Sequence, residues 1–228
     1  MPSSELFRTV AEITVNSLQW SSLATLVAGC PAIFVAWVLA RREFWGKSAI
    51  SSLINLPLVL PPTAVGFILL DLLAIDGLLG REFLGIDLGI LLTPRAVVLA
   101  CAIMSFPLIV RTARVAFEAI DPGLEDIAVS LGYRPVRGFF QITLPLAHRG
   151  LFAALILGFT RCLGEFGASV IVAGNIPGLT QTLASAIYGA QQTGDEGLAR
   201  ALMVVAVLLG FAAVYLTERL TRKQGGLR

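Results

Sequence analysis

Arg161 and Glu165 stand four residues apart in Thr160-Arg-Cys-Leu-Gly-Glu-Phe-Gly-Ala168, inside an otherwise apolar stretch. On a helix this spacing puts the guanidinium and the carboxylate on one face, within reach of each other. Ionisable groups among apolar neighbours are costly unless they face a protein interior or a wet cavity. Two roles are open. The pair could neutralise itself and fix helix packing or the contact with a second copy, or it could line or gate a route for a charged solute. Gly164 and Gly167 flank Glu165 and would let another backbone approach closely, so all four residues are candidates for a pathway or gate.

A second charged stretch runs from Glu125 to Pro145 and contains Glu125, Asp126, Arg134 and Arg137. Leu124, Ile127, Ala128 and Leu131 recur at helical spacing on one face. Asp121 suits the N-cap and Pro122 the first turn. Gly132 can take the left-handed conformation that ends a helix. Pro135 then starts a second short helix, with Val136, Phe139 and Phe140 on one face, expected to stop near Pro145. Such a bent amphipathic pair either rests on lipid headgroups or docks in a groove on another protein.

The elements that must hold these residues are set by composition. Of 228 residues, 56% are hydrophobic and only 14% charged. That leaves too little polar surface for a water-soluble globule and points to an integral membrane protein. The net charge of +2 gives no argument for nucleic acid. Cys30, Cys101 and Cys162 lie singly in apolar runs and His148 is the one histidine, so no metal site, disulfide framework or cofactor is indicated. Five spans are expected: Leu23 to Ala40, about Leu53 to Leu70, Ala96 to Val110, Leu151 to Ala173, and Ala201 to Thr217. Residues 3 to 14 put Leu6, Phe7, Val10 and Ile13 on one face, which predicts an interfacial helix over 1–17 before the first span.

Twelve of the seventeen Lys and Arg residues lie after span one, between spans three and four, or in the tail. The excess of basic residues on the cytoplasmic side places the N-terminus outside and the C-terminus in the cytoplasm. The expected plan is a transmembrane domain over 18–219, a cytoplasmic coupling segment over 114–148 within it, and a tail over 220–228.

Gly132, nine residues, then Ile142-Thr143-Leu144-Pro145 resembles the motif of permease subunits of bacterial ABC importers. That motif begins Glu-Ala-Ala six residues before its glycine; here Asp126, Ile127 and Ala128 occupy those places. Leu56 to Phe67, Ser105 to Asp121, Leu163 to Leu183 and Ser185 to Gly197 resemble the molybdate/tungstate branch, with sulfate permeases close by. The resemblance implies an all-α type I importer permease fold and a pathway for molybdate, with tungstate or sulfate as alternatives. It also implies a second copy of the chain, two cytoplasmic ABC ATPase subunits and a periplasmic or extracellular oxyanion-binding protein. Asn175, Pro177, Gly178 and Thr180, in a turn-rich loop on the outer side, are candidates for docking that protein; an ordinary turn is the plainer reading. Leu124, Glu125, Asp126, Ile127, Ala128, Leu131, Gly132, Ile142, Leu144 and Pro145 are candidates for ATPase coupling. No phosphate loop of the form GxxxxGK[ST] occurs in the chain. A secondary transporter would tend to show repeated halves, and none is evident. A membrane scaffold would not need Arg161 and Glu165 in a span.

Overall fold

Ala24, Ala28, Ala32 and Ala36 recur every four residues along α1 (Ser3–Arg41) and are at most 3% exposed. Small residues at that spacing let a second helix approach closely where lipid gives no hydrophobic drive between helices. The helix that uses this stripe is α4 (Pro94–Glu118), and the third member of the core is α7 (Leu144–Leu163). Gly158 of α7 permits the α4 contact: a Cβ there would stand 2.5 Å from Ile109 Cγ1. At the same level Cys162 and Cys101 donate weakly to each other's carbonyls, at 3.4 and 3.6 Å. The computed structural model describes residues 3–80, 82, 88–130 and 132–222. The side chains of Asp126, Pro135, Val136 and 220–222 lie outside that description.

Among the described residues there is no strand, and four helices are long and apolar enough to cross a membrane. These are α1, α4, the rod ending at Leu163, and α10 (Glu196–Arg222). The expected second span is a bent pair, α2 (Lys47–Val59) and α3 (Pro62–Leu73), which meet at 110°. The cause is the Pro61-Pro62 doublet. Pro61 forces Leu60 out of the helical region, to ψ 143°, and Pro62 then opens the next helix. Membrane helices tolerate many prolines, but two in succession break this one.

The expected fourth span also differs at both ends. Its helix stops at Leu163, and α8 (Gly167–Ala173) resumes after a break at 164–166. At the other end the chain does not stop near Pro145. A short turn of helix, α6 (Pro135–Gly138), passes through a π-helical turn at Phe139–Thr143 straight into α7. Pro145 is accommodated in the first turn of α7. The wide turn before it, closed by Leu144 N–H on the Phe139 carbonyl, relieves the clash a proline ring makes with the carbonyl four residues back.

Residues 3–17 are no separate helix, because α1 runs unbroken across the expected boundary at 17/18. At 1.5 Å per residue its 39 residues make a rod of about 58 Å, nearly twice the thickness of hydrocarbon. Its ends sort the molecule. Near the start, Val10 and Ile13 pack with Leu183 and Ala186 of α9 (Leu183–Thr193) and Leu202 of α10, and Ser17 Oγ accepts the Leu183 N–H at 2.7 Å. At the far end Arg41 meets the charged stretch at Glu125. The expected boundary between domain and tail at 219/220 falls inside α10; residues 223–228 lie outside the description.

Candidate functional site

Asp121 caps α5 (Gly123–Ser130) through its side chain, which accepts the Gly123 N–H at 2.8 Å. The other end closes as expected. Gly132 sits at φ +87°, its N–H bonds Val129 O at 2.9 Å, and Tyr133 N–H bonds Ala128 O at 3.0 Å. This paired closure needs a left-handed residue, which glycine supplies without strain. α5 is therefore a short helix with both ends specified by sequence.

The face it presents is not the one expected in full. Leu124 and Ile127 are 39% and 58% exposed, and Val129, which the periodicity did not single out, is 54% exposed. Ala128 turns inward and is buried, beside Gly138. Leu131 and the Asp126 side chain lie outside the described residues.

Glu125 is committed within the subunit. Its Oε1 accepts from Arg41 Nε at 2.9 Å and from the Thr143 hydroxyl at 2.8 Å. Arg41 also donates through Nη1 to Ile120 O at 3.1 Å. One carboxylate thus ties the end of α1, α5 and the π turn that leads into α7. Phe139 in that turn packs edge-on against Trp37 at 5.2 Å and tilted against Phe117 at 6.2 Å. Of the remaining coupling candidates, Ile142 and Leu144 are half-buried and Pro145 is exposed. Arg41 and Thr143 gave no periodic signal, because their contacts span 84 and 18 residues of chain.

Arg161 and Glu165 do pair, Nη1 to Oε2, at 2.7 Å. The two are unequal: the Arg161 side chain is 27% exposed and that of Glu165 1%. The second carboxylate oxygen accepts the Ala168 N–H at 2.8 Å, in the first turn of α8. Glu165 therefore spans the break between α7 and α8, bonded on one side to each. Gly167 provides the expected close approach: a Cβ there would lie 2.8 Å from Pro62 Cβ and 3.2 Å from Thr63 N. Gly164 does not, since its nearest neighbour would be Thr160 O at 3.7 Å.

In the loop after α8, Pro177 and Gly178 are exposed, and Gly178 takes φ +72°. Thr180 is 1% exposed and works inside the turn, accepting the Ile176 N–H at 3.1 Å. Asn175 is half-buried and donates to Ser185 O at 3.2 Å. The structure thus divides the four loop candidates into two that shape the turn and two on its surface.

Comparisons with known proteins agree on one family. Residues 32–225 match the binding-protein-dependent transport system inner membrane component. The chain is 41% identical over 215 residues to a molybdenum transport system permease protein of Haemophilus influenzae, covering 92% of this chain and 90% of that one. Its identity to the Escherichia coli K12 protein of that name is 42% over 218 residues, covering 92% and 94%. A sulfate transport system permease protein of Salmonella typhimurium is 31% identical over 208 residues, covering 90% of this chain and 75% of the other. The fold resembles a chain of the inward-facing MetNI methionine ABC transporter, at TM-score 0.69 and 19% identity, over 98% and 99% of the two chains. The family match over most of the length, together with relatives above 40% identity over nine-tenths of the chain, leads to one assignment: the chain belongs to the family of binding-protein-dependent transport system inner membrane components.

Proposed function

We propose that two copies of this chain form the membrane pathway of an ATP-driven importer for molybdate. The observation that carries the substrate is the likeness to molybdenum permeases, which is higher than that to the sulfate permease and covers nearly all of both chains. ATP hydrolysis belongs to two separate cytoplasmic ATPase subunits, since the chain has no phosphate loop. A binding protein outside the membrane delivers the oxyanion, docking at the exposed Pro177 and Gly178.

The orientation places the N-terminus outside and the coupling helix in the cytoplasm. Its support is the basic-residue asymmetry together with the opposite placement, at the two ends of α1, of the Val10–Leu183 contact and the Arg41–Glu125 contact. Leu124, Ile127 and Val129 enter a groove on the ATPase, and Glu125 holds the helix from behind. A push on α5 would then reach the spans through Arg41 into α1 and through Thr143 into α7.

Uptake by proteoliposomes holding this chain with its own ATPase and binding protein tests the substrate. Labelled molybdate should accumulate with ATP and persist against an equal concentration of sulfate. Displacement by sulfate at that ratio would move the chain to the sulfate branch.

A further inference from the structure

Two apolar grooves on the flank of the bundle join end to end between α1 and α4. The first, about 480 Å³, lies between Trp20 and Val27 of α1 and Arg95 and Leu99 of α4. The second, about 350 Å³, continues from Val27 and Leu99 to Pro31 of α1 and Phe106 of α4. Because Val27 and Leu99 wall both, the two form one channel. Leu53 and Pro57 of α2 supply a third wall along its second half. The channel exists because its floor is small. Ala28 and Ala102 are 3% and 6% exposed, while Val27 and Leu53 stand 53% and 69% exposed above them.

Its length is that of one membrane leaflet. Trp20 and Pro31 are eleven residues apart on α1, as are Arg95 and Phe106 on α4. At about 1.5 Å per residue the channel runs about 16 Å, half of the roughly 30 Å of hydrocarbon. Its two ends differ in chemistry. One carries Trp20 and Arg95, the other only apolar side chains. Tryptophan and arginine at the edge of a span sit at the level of the lipid headgroups. Arg95 is exposed in the first turn of α4, and among the described residues it has no ion-pair partner. Among those residues no carboxylate lines either groove, so nothing in the channel answers its charge. The occupant that fits is apolar for the depth of one leaflet and anionic at its head.

We propose that the channel is a site for one membrane phospholipid, with its phosphate at Arg95 and one acyl chain laid between α1 and α4 as far as Phe106. That acyl chain also touches Leu53 and Pro57 of α2, a helix that buries none of its own residues. The lipid thereby completes the packing of α2 against α1 and α4. By the orientation proposed above it belongs to the outer leaflet. Arg95 reads the phosphate, which membrane phospholipids share, and not a particular headgroup. The site stands whichever solute the complex carries, and its test reads lipid binding rather than uptake.

The test titrates the delipidated permease–ATPase complex in detergent with dioleoyl phosphatidylglycerol and reads bound lipid by native mass spectrometry. Dioleoylglycerol, with the same chains and no phosphate, is the comparison ligand. Arg95→Gln removes the charge, and Val27→Phe narrows the channel where its halves meet. Both positions are exposed, so neither change enters the core. Leu208→Phe, at a side chain 62% exposed on α10 and outside the channel, is the control. One phospholipid should bind per permease chain, about tenfold tighter than dioleoylglycerol, and Arg95→Gln should abolish that advantage. Val27→Phe should weaken both ligands and Leu208→Phe neither. Equal affinity for the two ligands, an advantage that survives Arg95→Gln, or binding that Val27→Phe leaves unchanged is the behaviour of boundary lipid and overturns the site. A second copy of the chain covering the groove would leave no phospholipid bound, which overturns it as well.

Discussion

Arg161→Ala should be the most damaging single change in the intramembrane pair, worse than Glu165→Ala. The reason is their unequal burial. Removing Arg161 leaves a carboxylate that is 1% exposed, with the Ala168 N–H at 2.8 Å as its remaining donor. Breaking a buried ion pair from one side costs about 3–5 kcal/mol. Removing Glu165 leaves a guanidinium that is 27% exposed and can reach solvent, and frees one backbone N–H, for about 1–3 kcal/mol. The double substitution strands no charge and should cost close to the Glu165→Ala figure. Thermal unfolding of the detergent-solubilised permease, followed by monodispersity, reads these differences. At roughly 2–4 °C per kcal/mol for a chain of this size, Arg161→Ala should melt on the order of 10 °C below wild type. The double variant should recover part of that loss. If it melts no higher than Arg161→Ala, or if Arg161→Ala melts with the wild type, Glu165 does not depend on Arg161. A direct role for Arg161 in the pathway would then be favoured.

Ile127→Asp changes a side chain that is 58% exposed, so the permease should fold normally yet lose its ATPase in a pull-down; retention would leave α5 to the lipid surface. Gly132→Val meets no atom within 4 Å, so its cost is the left-handed backbone alone, about 1–2 kcal/mol. It should insert and dimerise but lose substrate-stimulated ATP hydrolysis, and wild-type stimulation would separate the bend from coupling. Gly167→Ala, with Pro62 Cβ at 2.8 Å, should cost about 1–3 kcal/mol and impair uptake, while Gly164→Ala at 3.7 Å should be tolerated. Equal transport by the two variants would remove the argument from close approach.

Local signals were legible in the sequence where a single residue determines geometry. Asp121 and Gly132 fixed both ends of α5, and the four-residue spacing fixed the Arg161–Glu165 pair. Apolar runs were less informative, because hydropathy does not distinguish a straight helix from two joined by a break. Leu53 to Leu70 and Leu151 to Ala173 each read as one span and are each divided. In the first the signal is present in the sequence, as the Pro61-Pro62 doublet. In the second the break at Gly164–Phe166 is held by Glu165, whose capping bond to Ala168 has no sequence signature apart from the fold. The inward turn of Ala128 and the commitment of Glu125 were hidden for a different reason. A helical stripe says which residues share a face, whereas tertiary partners such as Arg41 and Thr143 decide which face is outward.

The two breaks are neighbours in space, and this bears on why the membrane tolerates the ion pair. α3 starts at Pro62 and α8 at Gly167, and those first residues are in contact. A Cβ on Gly66 would likewise lie 3.0 Å from Ala168 Cα, so the helices pack closely from their starts onward. Helix N-termini carry partial positive charge on their free N–H groups. Two of them meet here, and the Arg161 guanidinium adds a full charge at 2.7 Å from Glu165. The carboxylate is the negative group that balances this concentration, and it does so while almost fully shielded from solvent. Glu165 is thus consumed by the architecture of the broken helices. Arg161, 27% exposed, is the member of the pair that reaches the surface.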